Sequence, residues 1–104
     1  MNILVVVAHP SEDSLCSTLA HHIIGKLTNS GHEIVIENLY EANFDPVLSV
    51  RERETYYRTS YDTSMIMNEI KRLANADALV IIFPTWWFSF PAILKGWFDR
   101  VWVP

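Results

Sequence analysis

A doubly wound α/β fold, built on a parallel sheet with strand order 2-1-3, is the fold class that this sequence predicts. Three observations predict it. Residues 3–8 and 78–83 are unbroken apolar runs with no polar alternation, the pattern of strands covered on both faces. Segments with three-four apolar spacing separate the strand-like runs, as amphipathic helices do. Turn chemistry marks the joints, with His9-Pro10-Ser11-Glu12-Asp13 after the first run and Asn29-Ser30-Gly31 before the second.

Taken in order, Ile3-Leu4-Val5-Val6-Val7-Ala8 forms the first strand. Leu15, Leu19, Ile23 and Leu27 make the apolar stripe of the first helix, with Ser11, Asp13 or Ser14 as its N-cap and Gly31 available for a left-handed stop. Residues 32–39 are the second strand, so the first forty residues make a βαβ unit with a right-handed crossover. Residues 40–61 are the least regular part. Asn43-Phe44-Asp45-Pro46 is a turn, and Arg51-Glu52-Arg53-Glu54 reads as a solvated charge cluster with the character of a short helix. A second helix is expected from Asp62, with Ile66, Ile70 and Leu73 on one face and Ala76-Asp77 at its end. The third strand, 78–83, stops at Pro84; a loop carrying Trp86, Trp87 and Phe88 follows; and Pro91 opens a third helix over 92–101. Alternation of this kind places a ligand crevice outside the carboxyl ends of the strands, where residues 9–14 and 84–88 arrive.

Composition narrows the function classes. The 104 residues carry a net charge of −4, which gives no basic footprint for nucleic acid or an anionic membrane. The apolar runs are strand-sized, so no transmembrane helix is expected. The start lacks the basic stretch of a signal peptide, and the single Cys16 has no intrachain partner. Both features fit a cytoplasmic protein.

Two loops carry the candidate chemistry. In the first, His9, Ser11, Ser14 and Thr18 surround a helix N-terminus, which suits a phosphate; the same residues also suit plain helix capping, and no glycine-rich phosphate fingerprint is present. In the second, three adjacent aromatics suit either a wall for a flat conjugated ligand or a core or dimer patch. The meeting of both loops at the switch point favours the ligand. Cys16 reads as a packed thiol, because no general base accompanies it. His21-His22 and His32 lack metal-ligand spacing, and Lys95, Asp99 and Arg100 read as helix-surface or helix-end charges.

The block Phe83-Pro84-Thr85-Trp86-Trp87-Phe88-Ser89-Phe90-Pro91-Ala92-Ile93-Leu94-Lys95-Gly96-Trp97-Phe98-Asp99-Arg100-Val101 resembles the signature of the NAD(P)H:quinone oxidoreductase family, whose fold is flavodoxin-like. Ala8-His9-Pro10 with Ser14-Leu15, and Asn38-Leu39-Tyr40 with Phe44-Asp45-Pro46-Val47, are similar to that family at the same places. The resemblance implies a bound FAD or FMN. His9, Ser14, Leu15 and Cys16 would lie at its phosphate, with Cys16 standing where the family often has Asn. Pro84, Thr85, Trp86, Trp87 and Phe88 would border its isoalloxazine ring. It further implies NAD(P)H as electron donor, a quinone-like acceptor and a homodimer.

By the same resemblance, two further strands and the residues that assist hydride transfer lie outside these residues. Residues 1–104 are therefore read as the N-terminal part of a single domain, with no residue assigned a catalytic or metal-binding role. A second reading is a non-enzymatic module that keeps an interaction face. The apolar edge of the third strand invites pairing with another chain under either reading.

Overall fold

The computed structural model describes residues 1–58 and 60–102. The elements run β1 (Asn2–Val7), α1 (Leu15–Asn29), β2 (Glu33–Asn38), α2 (Val50–Thr55), α3 (Met67–Ala74), β3 (Ala78–Ile82) and α4 (Ala92–Arg100). The strands form one parallel sheet in the order β2-β1-β3, so the predicted 2-1-3 topology is the observed one. Successive residues of β1 point to opposite faces. Leu4, Val6 and Ala8 pack with Ile66, Leu94, Trp97 and Val101 on the face covered by α3 and α4. Ile3, Val5 and Val7 pack with Cys16 and Ala20 of α1 on the other. Burial on both faces is why this strand reads as a continuous apolar run.

Several expectations need correction. The inward stripe of α1 is not Leu15-Leu19-Ile23-Leu27: Leu15 is 74% exposed and Leu19 43%, while Cys16 and Ala20 are buried with Ile23, Ile24 and Leu27 beside them. The small Cys16 and Ala20 side chains let the helix lie close to the sheet, and the bulkier leucines turn to its flank. The second helix does not start at Asp62. There Asp62 Oδ1 accepts from the Ser64 N–H at 3.1 Å, a local turn that competes with helix, and α3 begins only at Met67.

The charge cluster at 51–54 is only partly solvated. Ser49 and Glu52 form a capping box at the start of α2, which buries the Glu52 carboxylate at 2% exposure. Both its oxygens accept from Arg100 Nε at 3.1 Å. Arg100 therefore is a buried link: its Nη1 donates to the Asp45 carbonyl at 2.6 Å, and its own carbonyl accepts from the Tyr61 hydroxyl at 3.0 Å. A second buried carboxylate, Glu37, accepts from Arg72 and, at 3.0 Å, from Trp97 Nε1. These two sets fasten the irregular segment and α4 to the sheet. Gly96 completes the fastening, since a Cβ there would overlap the backbone and ring of Pro46.

Candidate functional site

The residues after β1 fold back on themselves before α1 begins. Ser14 is the N-cap: its hydroxyl oxygen accepts from the Ser17 N–H at 3.1 Å, and Ser17 Oγ donates to the Ser11 carbonyl at 3.2 Å. With the Ser17 amide used by the cap, the Leu15 and Cys16 amides form the open first turn, at the positive end of a fifteen-residue helix. The Ser14 side chain is thus the cap that shapes this turn. Leu15 and Cys16 offer only backbone N–H groups, because Leu15 projects into solvent and the Cys16 thiol is buried against β1 and β3.

His9 is fixed by its neighbour. The Ser11 N–H donates to His9 Nδ1 at 3.0 Å, so in the neutral ring the proton sits on Nε2, which becomes a donor. The sequence singles out His9, Ser11 and Ser14 but not Ser17, whose hydroxyl ties the loop to the first turn. Its six-residue spacing from Ser11 is the available signal.

The second loop is a tight hairpin. The Trp86 N–H donates to the Ser89 carbonyl at 3.2 Å, and the Ser89 N–H to the Trp86 carbonyl at 3.1 Å. Trp87 and Phe88, at its tip, have φ of 51° and 63°. Two consecutive left-handed residues make a type I′ turn, a conformation that favours Asn and Gly and strains aromatic residues. Both tip side chains stand in solvent, Trp87 at 93% and Phe88 at 98% exposure. Thr85 is also exposed, whereas Pro84 is half-buried where the chain leaves β3. Phe90 anchors the hairpin, meeting Phe83 edge-on at 5.0 Å and Phe98 at a tilt at 5.3 Å. Trp97 lies elsewhere: it is fully buried in the core beside Glu37.

The two loops meet. The His9 and Trp86 rings are 6.0 Å apart at an interplanar angle of 59°. The structure thus brings together, at the carboxyl ends of β1 and β3, an imidazole donor, a helix N-terminus and an exposed aromatic hairpin. This set suits a ligand with an anionic end and a flat conjugated end. Among the described residues, no group of His, Cys, Asp or Glu can hold a metal ion, and no helix is long and apolar enough to cross a membrane.

A parallel sheet covered on both faces, with two loops converging at the reversal of strand order, defines a doubly wound α/β protein, a class whose ligands bind at that switch point. The chain belongs to the family described as having a flavodoxin-like fold, whose model matches residues 1–104. Among its relatives, the "Uncharacterized NAD(P)H oxidoreductase YcaK" of Escherichia coli is 36% identical over 101 residues, covering 96% of this chain and 52% of that protein. NAD(P)H dehydrogenase [quinone] 1 of Cavia porcellus is 32% identical over 114 residues, covering 94% and 42%. The solved NAD(P)H:quinone oxidoreductase of Methanothermobacter marburgensis superposes with a TM-score of 0.89 at 36% identity, covering 99% of this chain and 54% of that one. The chain spans about half the length of the relatives it matches.

Proposed function

We propose that this protein is an NAD(P)H-dependent oxidoreductase of the quinone reductase type, with a flavin, FMN or FAD, held at the carboxyl ends of β1 and β3. The observation that carries the reading is the meeting of the His9 and Trp86 rings, which sets the loop before α1 beside the aromatic hairpin. The relatives' names supply the reaction class, hydride transfer from a nicotinamide nucleotide to a quinone.

Within this reading the Leu15 and Cys16 amides and His9 Nε2 donate to the flavin's phosphate, and the helix dipole adds to their attraction. Ser14 and Ser11 position these donors without contacting the ligand. Pro84, Thr85 and Trp86 border the ring, while Trp87 and Phe88 shield it from water. A flavin held there would supply hydride chemistry between NAD(P)H and a quinone, while the loop residues would orient it and exclude competing reactions. A homodimer with the acceptor pocket at its interface belongs to the same proposal, and the exposed Trp87 and Phe88 are its natural contact residues.

Titration of FMN and of FAD with the intact protein, followed by flavin fluorescence, tests this. Saturable quenching by one of them, with loss of that quenching in a His9→Ala variant, is the expected result. Absence of binding by both overturns the flavin assignment.

A further inference from the structure

The outer edge of β2 lies on the opposite side of the sheet from β3. The Glu33 N–H donates to the Met1 carbonyl at 3.1 Å, and the Leu39 N–H to the Val7 carbonyl at 3.0 Å. Odd-numbered residues of β2 therefore carry the ladder to β1, and Ile34, Ile36 and Asn38 point their backbone groups outward. The Asn38 carbonyl is occupied by the Ala42 N–H at 3.0 Å. The remaining outward groups of Ile34 and Ile36, with the Asn38 N–H, have no protein partner among the described residues.

Edge strands are usually protected by lysine, proline or a bulge. This one presents Val35 at 44% and Ile36 at 53% exposure instead. A groove runs along each side of it. On the α3 side a hollow of about 320 Å³ is lined by Leu4, Val35, Asn68, Lys71 and Asn75. On the α1 side a hollow of about 400 Å³ is lined by Val7, Ile24, Ile36, Glu12 and Glu41, with His21 at its wall. The two sides differ in charge. The first groove is lined by Lys71 and Glu33 and by Arg72, which is already held by Glu37 and Glu69. Glu12 and Glu41 give the second groove two carboxylates next to an apolar wall.

We propose that this edge receives an extended segment of a partner protein in which apolar and basic side chains alternate. The segment adds a strand to the sheet through the free backbone groups of Ile34, Ile36 and Asn38, and strand alternation sends successive side chains into opposite grooves. Apolar side chains cover Val35 on the α3 side. Lysine or arginine side chains lay their methylene stems over Ile36 and place their charges at Glu12 and Glu41.

The test is fluorescence anisotropy of a labelled short peptide alternating valine and lysine, titrated with the intact protein. A peptide of the same composition with its lysines grouped together is the comparison. Saturable binding of the alternating peptide alone is expected, with hydrogen exchange slowed at the Ile34, Ile36 and Asn38 amides and unchanged at Val35 and Glu37. Ile36→Pro removes an outward N–H that the ladder does not use, so the sheet survives and affinity falls about tenfold. Ile36→Lys keeps the N–H and weakens binding through charge repulsion, which covers the case of a proline variant that misfolds. Equal binding of both peptides, no binding, or no amide protection overturns the proposal. Self-association abolished by Ile36→Pro also overturns it, because it gives the edge to a second copy of the chain.

Discussion

Gly96 and Phe88 occupy two backbone positions that each favour glycine, and only the first has it. At Gly96, α4 crosses the Pro46 segment so closely that any side chain would overlap it. At Phe88 the turn demands φ of 63°, and the neighbouring Trp87 sits at 51°. One position satisfies a packing demand with the fitting residue. The other carries strain of about 1–3 kcal/mol per residue and exposes a large ring. The first arrangement serves stability alone. The second makes physical sense only if the rings have work to do in solvent or against a ligand, which is why the hairpin tip belongs to the proposed site.

Substitutions at the two places should then act in opposite directions. Gly96→Ala improves helix propensity, yet it is expected to cost about 1–3 kcal/mol because Pro46 must move, and a lowered midpoint in urea would register it. Phe88→Gly is expected to raise stability by about 1 kcal/mol through relief of the left-handed strain, while weakening flavin binding. A variant that loses both stability and affinity would show that the exposed ring packs in the folded protein and would remove the contrast. The cradle supplies an intermediate case. Ser14→Ala deletes the N-cap, costs about 1 kcal/mol by thermal unfolding, and lowers affinity for FMN and FAD alike, since both carry the phosphate that the first turn would hold.

The smallest expected effect concerns the fastening around Gly96. Burial raises the Tyr61 hydroxyl to about 12, with Glu52 adding to the shift and Arg100 opposing it. The raised value means that folding favours the neutral phenol. Its contribution is fully present below the ordinary value of 10.0 and is lost as pH rises from there through about 12. Stability followed over that alkaline interval should fall less steeply in Tyr61→Phe than in the native protein. Identical slopes would place the hydroxyl's contribution elsewhere.

Much of the candidate site was legible in the sequence because loops at strand ends announce themselves by local chemistry. His9-Pro10 and Pro84-Thr85 each end an apolar run, and the topology brings both segments to the same end of the sheet. The manner of holding was not legible. The residues around Ser14 read more readily as caps than as phosphate donors, and its bond to the Ser17 N–H identifies Ser14 as the cap. Nothing in Trp86-Trp87-Phe88-Ser89 signals a type I′ turn, since aromatic residues have no intrinsic preference for it.

The sequence by itself determined the order of strands and helices and the two-sided burial of β1, because hydrophobic periodicity is a property of neighbours along the chain. It also determined which loops carry the polar and aromatic groups of the candidate site. Only the tertiary structure decided that Cys16 and Ala20, rather than Leu15 and Leu19, face the sheet, and that Glu52 and Arg100 are a buried pair instead of surface charges. It also decided that β2 leaves an apolar edge open between two grooves. Each of those outcomes depends on how closely distant segments approach, which local pattern does not encode.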